Sequence, residues 1–122
     1  MNREIVLPRN AKKMSDTEME ELLGGSITLG MLNTFTSKDE CMYWAIKVVD
    51  HGSVKGMTYQ EVAEEIYAHA YVYYNFNKLP NIVKNNGFAQ SVYNSSANGI
   101  SIDDNGDTTL RKAFYSLVWT FC

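Results

Sequence analysis

A chain of 122 residues allows one domain with a modest core and leaves little room for a second. Hydrophobic residues make up 45% of it and charged residues 20%, an ordinary globular balance that argues against disorder throughout. A net charge of −3 supplies no basic footprint, which argues against nucleic acid as a partner and against simple electrostatic adhesion to anionic membranes.

Residues 1–13, MNREIVLPRNAKK, mix charge with apolar IVL and contain Pro8, which suits an extended arm. This stretch lacks the apolar h-region of a secretory signal peptide, and nowhere does a run of about 18 apolar residues suggest a transmembrane helix. The first strong element follows, in MSDTEMEELLGGS. Ser15 is a good N-cap and Glu18 lies three residues on, so the pair can form a capping box. Met14 then falls at N′ and Met19 at N4, the positions of a hydrophobic staple. Met19, Leu22 and Leu23 share an arc of about 100°, a stripe too narrow to fold alone and suited to docking. Gly24 and Gly25 end the helix.

SITLGMLNTFT is uncharged and reads as a connecting segment. Ser37 and Glu40 repeat the capping pattern and open a helix over about 38–51, with Met42, Ala45, Ile46 and Val49 on one face and Gly52 at its stop. Thr58 and Glu61 repeat it again. The helix they open runs to about residue 76, with Val62, Ile66, Ala70 and Tyr73 as its core-facing row. Pro80 can start a short helix in NIVKN, and FAQSVYNSSA suits another turn or two. ISIDDNGDTT alternates briefly around Asn105-Gly106, which suits a tight turn or small β-hairpin near 100–109. Asp107 or Thr108 then caps a final helix whose Leu110, Phe114, Leu117, Val118 and Phe121 make an apolar face. The expected class is all-α: about four helices behind a short N-terminal helix, with one small hairpin.

Met14, Ser15, Glu18, Met19, Leu22, Gly24 and Gly25 together resemble the double-glycine leader of bacteriocin and peptide-pheromone precursors. That pattern runs apolar, Ser, two variable, Glu, Leu or Met, two variable, apolar, one variable, Gly-Gly, and all seven of its fixed positions are met. The resemblance implies a leader at 1–25 and a cargo at 26–122. It implies a cut between Gly25 and Ser26 by the papain-like peptidase domain of an ABC exporter, and a secreted product made as a precursor in the bacterial cytoplasm. It extends over residues 14–25 only, and 97 residues is long for such a cargo. The cargo also lacks the GxxxG-rich helices of two-peptide bacteriocins and the YGNGV of pediocin-like ones, so its extracellular target, protein or membrane, is not named.

The physics of the motif agrees with that implication. A cleft that clamps the backbone closely excludes a Cβ at the two residues before the cut. A preformed leader helix would dock by its apolar stripe with little ordering cost. The competing reading makes residues 15–25 a structural helix of an intracellular protein-interaction module. The two differ in one expectation: a leader helix is peripheral or mobile, whereas a structural one buries Met19, Leu22 and Leu23 in the main core.

Other constellations carry less. Cys41 with His51 or His69 lacks the surroundings of a catalytic nucleophile and base, and no enzymatic activity is expected. Glu65 and His69, one turn apart, suit a surface pair better than a two-ligand metal site, and no metal or cofactor is expected. DDNGD has glycine at the fourth place of a run from Asp103, and Phe114 stands where a calcium loop needs its closing Glu. The tyrosines of YAHAYVYYNF fall on more than one helix face, so some are available for a contact patch. Under export, Cys41 and Cys122 reach an oxidising compartment. A bridge between them would close a long loop and stabilise by roughly 2–4 kcal/mol; a free thiol or an interchain bond is the other outcome.

Overall fold

A computed structural model describes residues 14–32, 37–102 and 108–122. It is all-α with one minimal sheet: α1 Asp16–Leu23, β1 Ser26–Ile27, α2 Leu29–Leu32, α3 Lys38–His51, α4 Tyr59–Asn75, α5 Asn81–Lys84, α6 Ala89–Ala97, β2 Ile100–Ser101 and α7 Thr109–Phe121, with a 3₁₀ turn at Phe76–Lys78. Side-chain caps set the starts of the longest helices. The Thr58 hydroxyl accepts the Glu61 N–H at 3.1 Å and the Glu61 carboxylate accepts the Thr58 N–H at 2.9 Å, completing a capping box. Ser37 accepts the Glu40 N–H at 3.1 Å, and Thr108 accepts that of Arg111 at 3.1 Å. Gly52 stops α3 with φ of 87°.

The core lies around α4, which packs against α3, α6 and α7. Residues 65–70 are buried all round, because a helix enclosed by three others has no solvent face at its middle. The expected row Val62, Ile66 and Ala70 is buried, and Tyr73 is half-buried. Two faces sit differently from their expected positions. On α3 the buried line is Cys41, Trp44, Ala45 and Val48, one residue back from Met42, Ile46 and Val49, because Trp44 is the largest apolar body on the helix and turns inward. On α7, Phe114, Tyr115 and Val118 face the core, Leu117 packs at its margin, and Leu110 and Phe121 stay exposed.

SITLGMLNTFT is more than a connector. Ser26–Ile27 forms β1, and Leu29–Leu32 makes a turn of helix that buries Met31 and Leu32. The Thr28 carbonyl accepts the Leu32 N–H at 3.0 Å. Ile100–Ser101 is a strand, as its alternation suggested, but its antiparallel partner is β1, in the register Ser26↔Ser101 and Ile27↔Ile100. The turn expected at Asn105-Gly106 and the acidic run DDNGD lie outside the described residues.

Candidate functional site

The segment with the leader-like pattern builds its helix as its residue types dictate. Ser15 Oγ accepts the Glu18 N–H at 3.2 Å, and the Glu18 carboxylate accepts the Ser15 N–H and hydroxyl at 3.1 Å each. This completes the capping box. Met14 is buried, Met19 packs against the core from a half-buried position, and Leu23 is half-buried. Leu22 is wholly buried, with 0% exposure. The polar face touches the rest of the chain as well: a Cβ at Gly30 would stand 3.1 Å from the Glu18 Oε2. α1 therefore lies against the domain along its apolar stripe and at its capping carboxylate.

The two glycines differ. Gly24 is exposed and helical, with φ of −79° and ψ of −1°, and a Cβ there meets only the carbonyls of Glu20 and Glu21 at 3.4 and 3.5 Å, ordinary contacts. Gly25 is buried with φ of 88°, and a Cβ would stand 3.2 Å from the Ile102 carbonyl. The fold requires glycine at 25, where the left-handed region penalises every L side chain, and has no such requirement at 24. Ser26 is exposed and begins β1, and the Gly25 carbonyl accepts the Ile102 N–H at 2.6 Å. The bond between Gly25 and Ser26 thus lies at the edge of a paired ladder.

A second constellation was missed from sequence. His69 and Glu65 are both buried rather than a surface pair. His69 Nδ1 lies 2.9 Å from Ser96 Oγ, and Nε2 lies 3.3 Å from the Tyr115 hydroxyl. Arg111 Nε donates to that hydroxyl at 2.7 Å, and Ser96 donates to the Val92 carbonyl at 2.7 Å. One proton arrangement satisfies all four links: Arg111 donates to Tyr115, Tyr115 to Nε2, Nδ1–H to Ser96, and Ser96 to Val92. His69 is therefore neutral. Burial, and then the Arg111 charge, hold its pKa down at about 3. The signal available in sequence was its flanking by Ala68 and Ala70, between Ile66 and Val72 on the central helix.

This network occupies His69, and helix geometry separates His51 from Cys41. Both ring nitrogens of His69 are engaged by Ser96 and Tyr115. His51 sits ten residues along α3 from Cys41, a rise of about 15 Å. Burial, and next the Glu40 carboxylate, push the Cys41 thiol well above its usual range, so little thiolate forms. Cys41 and Cys122 carry no disulfide; Cys41 is buried and Cys122 half-buried. Burial first, then Tyr71, Cys122 and Cys41, push the Tyr67 hydroxyl up to about 12. Among the described residues, no three His, Cys, Asp or Glu side chains gather as a metal site, and no helix is long and apolar enough to cross a membrane.

The tyrosine-rich stretch divides as its several faces suggested. Tyr67 is buried, while Tyr74 is 45% exposed. Tyr73 stacks on Tyr93 at 5.4 Å, and Phe76 leans on Tyr93 at 4.9 Å. With Asn75, Asn77 and Lys78 they line an open groove of about 220 Å³. Compared with known proteins, the chain matches no family model, no curated protein and no solved structure.

Proposed function

We propose that the chain is a non-enzymatic precursor: a double-glycine leader over 1–25, cut after Gly25 by the peptidase domain of an ABC exporter, and a helical cargo over 26–122 that acts outside the cell as a bacteriocin-like or signalling protein. The observation that carries this reading is Gly24. Every other motif residue has work in the fold: Ser15 and Glu18 cap, Met14, Met19 and Leu22 pack, and Gly25 adopts a positive φ. Gly24 is exposed and helical, a position where a Cβ meets only ordinary contacts, so its glycine answers to something outside the fold. A peptidase cleft too narrow for a Cβ supplies that reason. In the cut, the peptidase thiolate attacks the Gly25 carbonyl and the Ser26 amine leaves with a proton; water then releases Gly25 as a carboxylic acid and regenerates the thiol.

In this reading the groove of Tyr73, Tyr74, Phe76 and Tyr93 is the cargo's contact patch, since aromatic rings beside amides are a common recognition surface. Cys41 and Cys122, both within the cargo, are the pair available for a bridge after export. A second reading is favoured by Leu22, whose complete burial suits a structural helix of an intracellular interaction module.

Expression beside an exporter of this class separates the two. Intact mass of the product in the culture supernatant should match residues 26–122, and Gly24→Ala should hold the chain inside the cell uncut. A full-length chain that stays in the cell, with Gly24→Ala changing nothing, selects the structural reading.

A further inference from the structure

The Gly25 carbonyl would have to enter an oxyanion hole for the cut to proceed, and its lone pairs must be open to the peptidase's own donors. In the folded chain it instead accepts the Ile102 N–H at 2.6 Å, and Gly25 is buried in a left-handed conformation rather than extended. The two residues after it are paired with Ser101 and Ile100. At the same time the apolar stripe of α1 lies against the core, with Leu22 wholly buried and Met19 and Leu23 half-buried, and Met14 just before the helix is buried too. Both surfaces a leader peptidase needs are therefore occupied by the cargo.

Resting on the leader reading above, we propose that the β1–β2 ladder is a processing gate: the cut at Gly25–Ser26 occurs only from an opened state in which Gly25–Ile27 has left Ile100–Ile102. The folded cargo thus protects its own leader, and processing is coupled to partial unfolding of the chain. The consequence is directional. Whatever closes the ladder slows the cut, and whatever loosens it at a distance from the cut site accelerates it, because the peptidase captures the open fraction.

Ser26 and Ser101 provide the means to close it. Both are exposed and directly opposed, and the hydrogen bond between Ile102 and Gly25 makes their neighbouring position the non-hydrogen-bonded one, where side chains lie closest. Gly99 provides the means to loosen it: its φ is 89°, and a Cβ there would press on the Ile27 carbonyl at 3.3 Å, far from every motif residue in sequence.

The test follows the cut of the full chain by an exporter peptidase domain, by intact mass against time, for wild type, Gly99→Ala, and Ser26→Cys/Ser101→Cys in a Cys122→Ser background. The double variant is oxidised beforehand by a disulfide donor such as oxidised glutathione, which forms one S–S bond and leaves two reduced glutathiones. The gate requires no cut in the oxidised form, cutting after reduction, and a rate roughly tenfold above wild type for Gly99→Ala. Equal rates for oxidised and reduced forms, or Gly99→Ala no faster than wild type, overturn the gate while a cut wild type leaves the leader reading standing. A chain cut in none of these forms, Gly99→Ala included, removes the leader reading, and the gate with it.

Discussion

An alanine at position 24 keeps the helical φ of −79° and meets only carbonyls at ordinary distance, so Gly24→Ala should leave the melting temperature unchanged or raise stability by about 0.4–1 kcal/mol. The same change one residue on should cost about 1–2 kcal/mol, because Gly25 holds φ of 88° beside the Ile102 carbonyl. Thermal unfolding of the two variants checks this contrast. His69 bears on pH. Its pKa is about 3 in the folded chain against about 6.5 when unfolded, so between those values the unfolded state binds the extra proton. Its contribution is complete above pH 6.5 and is lost as pH falls towards 3. Lowering pH from 7 to 4 should remove about 3 kcal/mol that a His69→Gln variant does not lose, as read by urea unfolding at each pH. Ser96 and Tyr115 were not legible as partners of His69, since they lie 27 and 46 residues away and only the packing of α6 and α7 on α4 brings them in.

At the scale of elements, local chemistry was the readable part. Ser15, Ser37 and Thr58 cap the helices that their spacing to Glu18, Glu40 and Glu61 suggested, Thr108 of the expected pair Asp107 or Thr108 caps the last helix, and the helix expected over 38–51 spans those residues. Thr58→Ala should cost about 1 kcal/mol in equilibrium unfolding. The faces were less legible, because periodicity gives an angle and not a depth. Leu110 belongs to the apolar row of α7 yet is 72% exposed, whereas Phe114 and Val118 in the same row are wholly buried. The partner of Ile100–Ser101 was hidden for a further reason: a two-residue strand carries almost no register information, and the turn signal at Asn105-Gly106 pointed to a neighbour in sequence rather than to Ser26–Ile27. Of the candidate cut site, the residue types were readable, and the burial of Gly25 and Leu22 was not.

At the scale of the whole molecule, α1 is both the segment with the leader pattern and a piece of the core. Removal of residues 1–25 takes Met14, Met19 and Leu22 from the cluster they share with α3 and α4. Losing a wholly buried leucine side chain alone costs about 2–5 kcal/mol. The 26–122 product should accordingly melt about 10 °C or more below the full chain, which calorimetry of the two would read. A precursor more stable than its product is what the gate requires, since the leader then stays docked until a peptidase captures the open form. The most direct test is intact mass of the folded full chain after incubation with a double-glycine peptidase domain, wild type beside Gly24→Ala. Wild type should lose residues 1–25 and begin at Ser26, while the variant, equally folded, stays whole; an uncut wild type, or a variant cut at the same rate, would contradict it.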